Sequence, residues 1–201
     1  TTSIVLIVLG TVLLKFTEHI SWMGAFFHSI SARTAGFSTY SIGEFTNAGL
    51  FVLCVLMFIG ASPGSTGGGI KTSTFFVLAQ STRSMFSKQA VGAFKRSISS
   101  QNVSKAYAIS MLSALVVIVA TFLLCVLEPE FQFIQLLFEV ISAFGTVGLS
   151  TGITPDLSGA GKLVIILVMF IGRLGAMTLI SMWIERPEKM IRYTEETIAI
   201  G

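Results

Sequence analysis

The sequence predicts an all-α membrane protein built from two tandem units, each an outer helix, a re-entrant loop and an inner helix. Three observations lead there: an apolar composition, an internal repeat, and glycine-rich turns set inside apolar sequence. Of 201 residues, 53% are hydrophobic and 11% are charged, where a soluble domain carries about 25% charge. Mean hydropathy is +0.84. Such a chain has too few charges to cover a water-exposed surface. The net charge of +3 is too small to argue for nucleic acid. Cys54 and Cys125 each lie inside an apolar run, so they imply no disulfide framework.

The repeat has a constant offset of 112 residues. Met57-Phe58-Ile59-Gly60 returns as Met169-Phe170-Ile171-Gly172, and Thr34, Gly36, Ser38 and Thr39 fall on Thr146, Gly148, Ser150 and Thr151. Ala48 and Gly49 fall on Ala160 and Gly161, and Glu18 falls on Glu130. The expected organisation is a first unit over 1–82, a basic linker over 83–105, a second unit over 106–186 and a tail over 187–201.

The outer segments come first in each unit. Thr1–Leu14 offers 14 uncharged positions, short of the ~20 that cross a bilayer. It has neither the basic leader nor the cleavage site of a signal peptide. With no methionine at its start, it reads as a truncated membrane helix of a longer protein. Ala106–Leu127, its counterpart, has 22 uncharged residues.

Next come amphipathic stretches too short to span, Ser21–Arg33 and Phe131–Phe144, each ending in Thr-x-Gly-x-Ser-Thr. Inner segments follow from Asn47 and Gly159. Outer helix, pore loop, inner helix is the arrangement in which irregular backbone at membrane depth is tolerated, because it lines a water-filled path. The linker carries Arg83, Lys88, Lys95, Arg96 and Lys105 without an acid, which predicts a cytoplasmic location. Glu44, Glu128, Glu130 and Asp156 mark the opposite, acidic side, with Lys162 as the main exception.

The turns Thr34-Ala35-Gly36-Phe37 and Thr146-Val147-Gly148-Leu149 are candidate ion sites. Glycine reaches backbone angles that aim successive carbonyls one way, and rings of carbonyls replace the hydration shell of a monovalent cation. Such a ring needs about four turns, so two more must come from a second chain or from sequence before Thr1.

The first inner segment is interrupted by Ala61-Ser62-Pro63-Gly64-Ser65-Thr66-Gly67-Gly68-Gly69-Ile70-Lys71-Thr72. Proline and glycine disfavour a continuous helix, and the apolar run resumes at Phe75–Ala79. Broken helices mark transport paths. Pro63, Gly64, Gly67, Gly68, Gly69 and Lys71 are therefore read as a gate. The stretch nearly spells a phosphate-binding loop, but Ile70 interrupts the motif and no βαβ context surrounds it. Arg173 stands in the middle of the second inner segment, Leu163–Ile184, and matches Ala61 at the repeat offset. A mid-membrane guanidinium needs partners, and the free carbonyls of the glycine loop would supply them. His19 and His28 are read as structural, since no carboxylate pair or Cys cluster accompanies them.

At this point the motifs become recognisable. RTAGFST (33–39), FIGASPGSTGGGIKTST (58–74), FEVISAFGTVGLSTG (138–152) and MFIGRLGAMT (169–178) resemble the Trk/Ktr/HKT superfamily of potassium transporters, most nearly the membrane subunit of the bacterial Ktr system. The resemblance covers nearly the whole chain. It implies a pseudo-fourfold, potassium-channel-like pore of four units, of which these would be the third and fourth, the C-terminal half.

It further implies potassium uptake across the cell membrane through filter carbonyls, with no other metal and no cofactor bound. The glycine loop would be an intramembrane gate and Arg173 its partner. The N-terminal half of the same protein, a homodimer and a cytoplasmic nucleotide-binding regulatory ring follow as partners, with membrane lipid around them and sodium affecting transport in some members. Leu-Gly-Ala-Met-Thr after Arg173 departs from the family's expected proline near position 176. Two other classes compete: a secondary transporter of a small organic solute, predicting polar side chains clustered away from the turns, and a membrane ATPase subunit, predicting nucleotide binding by this chain.

Overall fold

A computed structural model describes residues 2–65, 67–87, 92–93 and 96–175. The expectations for Lys88, Lys95, 176–186 and the 187–201 tail lie outside the described residues.

Among the described residues seven α-helices carry the fold: α1 Thr2–Thr17, α2 Trp22–Ser31, α3 Asn47–Phe58, α4 Thr72–Ser87, α5 Ser100–Leu127, α6 Phe133–Gly145 and α7 Gly159–Leu174. Between α4 and α5, Gly92–Ala93 and Arg96–Ser97 form an antiparallel ladder, β1 and β2. Helix runs into both ends of the 83–105 stretch. α4 runs on to Ser87, and α5 begins at Ser100, where the Ser99 hydroxyl accepts the Asn102 N–H and starts the helix.

α5 is long and apolar enough to cross a membrane. Its outward stripe, Met111, Leu115, Ile118, Phe122 and Val126, is as apolar as its buried stripe, Val117, Ala120 and Leu124. A helix that is apolar all round suits lipid on one side and protein on the other.

In the second unit the short helix α6 packs against both α5 and α7, whereas in the first unit α2 and α3 each pack against the outer helix α1. Gly10 lets α1 settle onto Ser29 and Leu56, and the Ser29 hydroxyl donates to Ile7 O at 2.9 Å. Small residues at such crossings are how membrane helices approach closely. The units join where α3 packs on α6 and α4 on α5. Met57 and Phe138 are wholly buried in the core, and the Phe58 and Phe144 rings sit 6.1 Å apart.

The repeat holds through the turns and inner helices but slips before them. Glu18 Oε1 accepts from Thr46 N and Thr46 Oγ1, at the N-cap of α3. The residue doing this at the α7 N-cap is Glu128, which accepts from Ser158 N at 2.8 Å. Glu130, the match by constant offset, is exposed. Glu128 lies 30 residues before its cap and Glu18 lies 28 before its own, so the alignment shifts by two: one extra residue falls in the connection from α5 to α6 and one between the start of α6 and the turn. Glu128 is consequently buried under the α7 terminus instead of belonging to an exposed acidic face.

Candidate functional site: two turns over a glycine loop

Both turns are built alike in backbone. Each takes a left-handed step at a threonine: α6 is capped by Thr146 at φ 51°, whereas α2 ends at Ser31 with a right-handed cap at Ala32 and the chain reaches its left-handed step at Thr34, φ 72°. These are the two positive-φ non-glycine residues among the described ones. Two residues on, Gly36 (φ 77°) and Gly148 (φ 94°) take the same hand. Threonine pays sterically for this conformation, so the surroundings must hold it. The Val147 N–H donates to Ser142 O at 2.9 Å, and the Gly36 N–H donates to Ser31 O at 3.0 Å.

The turns also meet. A Cβ on Gly36 would lie 2.0 Å from Val147 O, so the two backbones touch where one lacks a side chain. A cavity of about 700 Å³ opens beside the second turn, lined among others by Thr146, Gly148, Ser150, Glu139 and Arg173. Ala35 and Phe37 of the first turn are exposed, whereas Val147 and Leu149 of the second are buried.

The glycine loop folds directly against this pair. α3 stops at Phe58, and the loop returns so that the Ile70 N–H donates to Phe58 O at 3.1 Å and the Thr72 N–H to Ala61 O at 3.3 Å. Gly67 lies against Thr34, and the Gly68 N–H donates to Thr146 Oγ1 at 2.8 Å. Gly67 and Gly68 are needed for close approach, while Gly64 and Gly69 take φ of 82° and 73°. Pro63 sits in the turn at the loop's far end, where the Ser65 N–H donates to Ser62 O.

Loop carbonyls of Ser65 and Gly67 accept from Lys71 Nζ. Arg173 lines the cavity, close enough to Lys71 for the two charges to repel. The segment before the loop is helix α3, so the strand that a phosphate-binding loop requires is not there.

Two supporting residues, Glu139 and Arg33, escaped the sequence reading, and His28, read there as structural, joins them. Glu139, an acid in the middle of apolar α6, accepts from Ser150 Oγ, Thr151 N, Thr151 Oγ1 and Thr154 Oγ1. His28 does the matching work in the first unit. Its Nδ1 faces Gly24 O at 2.9 Å and its Nε2 faces Ser38 Oγ at 3.0 Å, the serine that matches Ser150. Arg33 donates to Ser3 O of α1 and to Gly60 O at the start of the loop. A lone charge in an apolar helix was the available signal for Glu139; its partners, 11 to 15 residues on, were not visible in the sequence.

A family model described as TrkH, cation transport protein, matches residues 1–192. The chain is 46% identical over 182 residues to Ktr system potassium uptake protein B of Vibrio alginolyticus, covering 90% of this chain and 40% of that one. It is 42% identical to Ktr system potassium uptake protein D of Bacillus subtilis (strain 168), covering 87% and 39%. Against the potassium/sodium uptake protein NtpJ of Enterococcus hirae it is 41% identical, covering 96% and 44%. The chain thus spans well under half the length of these relatives. The crystal structure of the potassium transporter TrkH from Vibrio parahaemolyticus superposes with a TM-score of 0.70 at 23% identity, over 90% of this chain and 42% of that one, which shows a shared fold.

Proposed function

The chain belongs to the TrkH family of cation transport proteins, and from that premise we propose that it contributes two of four filter turns to a pore for potassium uptake across the cell membrane. One observation carries the reading: repeat-matched turns share a left-handed Thr and a positive-φ Gly and touch through their backbones. Alternating hand along so short a segment brings successive peptide dipoles to one side. Carbonyls aligned in that way replace the hydration shell of a dehydrated monovalent ion. Potassium is the cargo here, and no reactive group is required. That these relatives carry the names of potassium uptake proteins supports the choice of ion.

The remaining turns would come from the longer protein of which the relatives are examples, arranged about a common axis. Exposure of Ala35 and Phe37 supports a neighbour on that side. The loop of Pro63, Gly64, Gly67, Gly68, Gly69 and Lys71 would act as the gate, since its backbone lies against Thr34 and Thr146 and any displacement opens the space beneath the turns. Arg173, at the same cavity, would set the field there. A cytoplasmic linker over 83–105, resting on its basic, acid-free charge, completes the proposal together with a homodimer and control by a separate nucleotide-binding subunit, which rest on the family resemblance. A solute transporter would cluster polar side chains away from the turns, yet Glu139, Ser150 and Thr154 surround one of them.

The test uses the full-length protein in cells lacking other potassium uptake. Gly148→Ser should lower preference for potassium over sodium by about tenfold or more, and deleting Gly67–Gly69 should raise flux. Unchanged ion preference in tracer uptake, with the protein present in the membrane, would remove the filter assignment.

A further inference from the structure

We propose that Glu139 is a positioning residue for ion selection: from behind the second turn it sets the course of the backbone that leaves the filter. The inference rests on the filter reading above and extends it to a residue that touches no ion. Glu139 is 5% exposed in the body of α6. Its Oε1 accepts from Ser150 Oγ at 2.7 Å, Thr151 N at 2.9 Å and Thr151 Oγ1 at 3.2 Å, and its Oε2 accepts from Thr154 Oγ1 at 2.8 Å.

Ser150 and Thr151 directly follow Leu149, the last filter position. One carboxylate therefore fixes the two residues through which the turn passes to the extended chain, and Thr154 ties the next short 3-10 turn to the same point. A carboxylate accepts from several directions at once, and bonds to it are shorter and stronger than those between neutral groups. Selectivity by carbonyls depends on their spacing and field, so a brace on the adjacent residue acts on ion preference without contacting the ion. At the repeat offset Glu139 falls on Phe27, so the first unit has no counterpart at this position.

The experiment compares Glu139→Ala, Glu139→Gln and Gly148→Ser in the full-length protein, reading the ratio of half-saturating sodium to half-saturating potassium and, separately, the maximal rate. Glutamine keeps an oxygen for Ser150 and Thr151 and offers its amide N–H to Thr154 Oγ1, so it preserves the brace. Glu139→Ala should reduce potassium preference about tenfold, and Glu139→Gln, which keeps a partner for each of these groups, should restore most of it. A purely structural residue would change abundance or maximal rate for both ions and leave the ratio alone.

The proposal is overturned if the alanine variant keeps the wild-type ratio, or if glutamine loses it as completely as alanine. Should the alanine variant not reach the membrane, Thr151→Val and Thr154→Val each remove one partner and should each lower the ratio about threefold; no change in either overturns it as well. Gly148→Ser separates the two failures. If it too leaves the ratio unchanged, the filter reading has failed; if it alone lowers the ratio, only the role of Glu139 has.

Discussion

The two units share a backbone and differ in what supports it. Thr34 and Thr146, Gly36 and Gly148, and the caps at Thr46 and Ser158 coincide at one offset. The braces do not. His28 holds Ser38 in the first unit, and Glu139 holds Ser150 in the second, from helix positions that do not correspond. Burial differs as well: Phe37 is 71% exposed and Leu149 3%. Duplication has preserved the left-handed backbone angles of the turns. Side chains behind them have diverged, because any group that satisfies the serine hydroxyl will serve.

The largest effect should come from Gly36. A Cβ there would lie 2.0 Å from Val147 O with φ at 77°, so Gly36→Ala should abolish tracer uptake. At Gly148 the same change meets nothing within 4 Å and suffers the φ of 94° alone; its cost is about 1 kcal/mol, and uptake should be reduced but present. Equal losses would sharpen the comparison differently, indicating that a further turn approaches Gly148 as Val147 approaches Gly36.

A middle-sized effect is expected at His28, which is wholly buried. His28→Ala leaves Gly24 O and Ser38 Oγ without their ring partner and opens a void, at about 3 kcal/mol. Thermal unfolding in detergent should show the loss, and an unshifted midpoint would break the equivalence between His28 and Glu139.

The smallest effect concerns the capping acids. Glu18 accepts two bonds from Thr46, whereas Glu128 accepts one from Ser158. Glu18→Ala should cost about 2 kcal/mol and Glu128→Ala about 1 kcal/mol, each carboxylate sitting at a helix N-terminus. The same unfolding measurement checks the order, and a reversed order would contradict the assignment of these residues as counterparts.

Much of this was legible beforehand. The turns, the interrupted inner helix and the starts of α3 and α7 at Asn47 and Gly159 all lay where composition and repeat placed them. The pairing of Glu18 with Glu130 was wrong, because the second unit has two more residues between this acid and its inner-helix cap, which a constant offset cannot register. Glu139 and Arg33 were passed over for a related reason. Their partners, Thr154 and Ser3, lie 15 and 30 residues away, beyond any helical spacing.

By itself the sequence determined an apolar, helical, duplicated chain with glycine at its turns, since hydropathy, periodicity and backbone permissiveness are properties of short segments. Only the tertiary structure decided that the first turn's glycine touches the second turn's carbonyl, that the glycine loop presses on both threonines, and that a histidine and a glutamate share one task. Those are contacts between distant segments. They depend on how helices pack, which no local pattern of residues encodes.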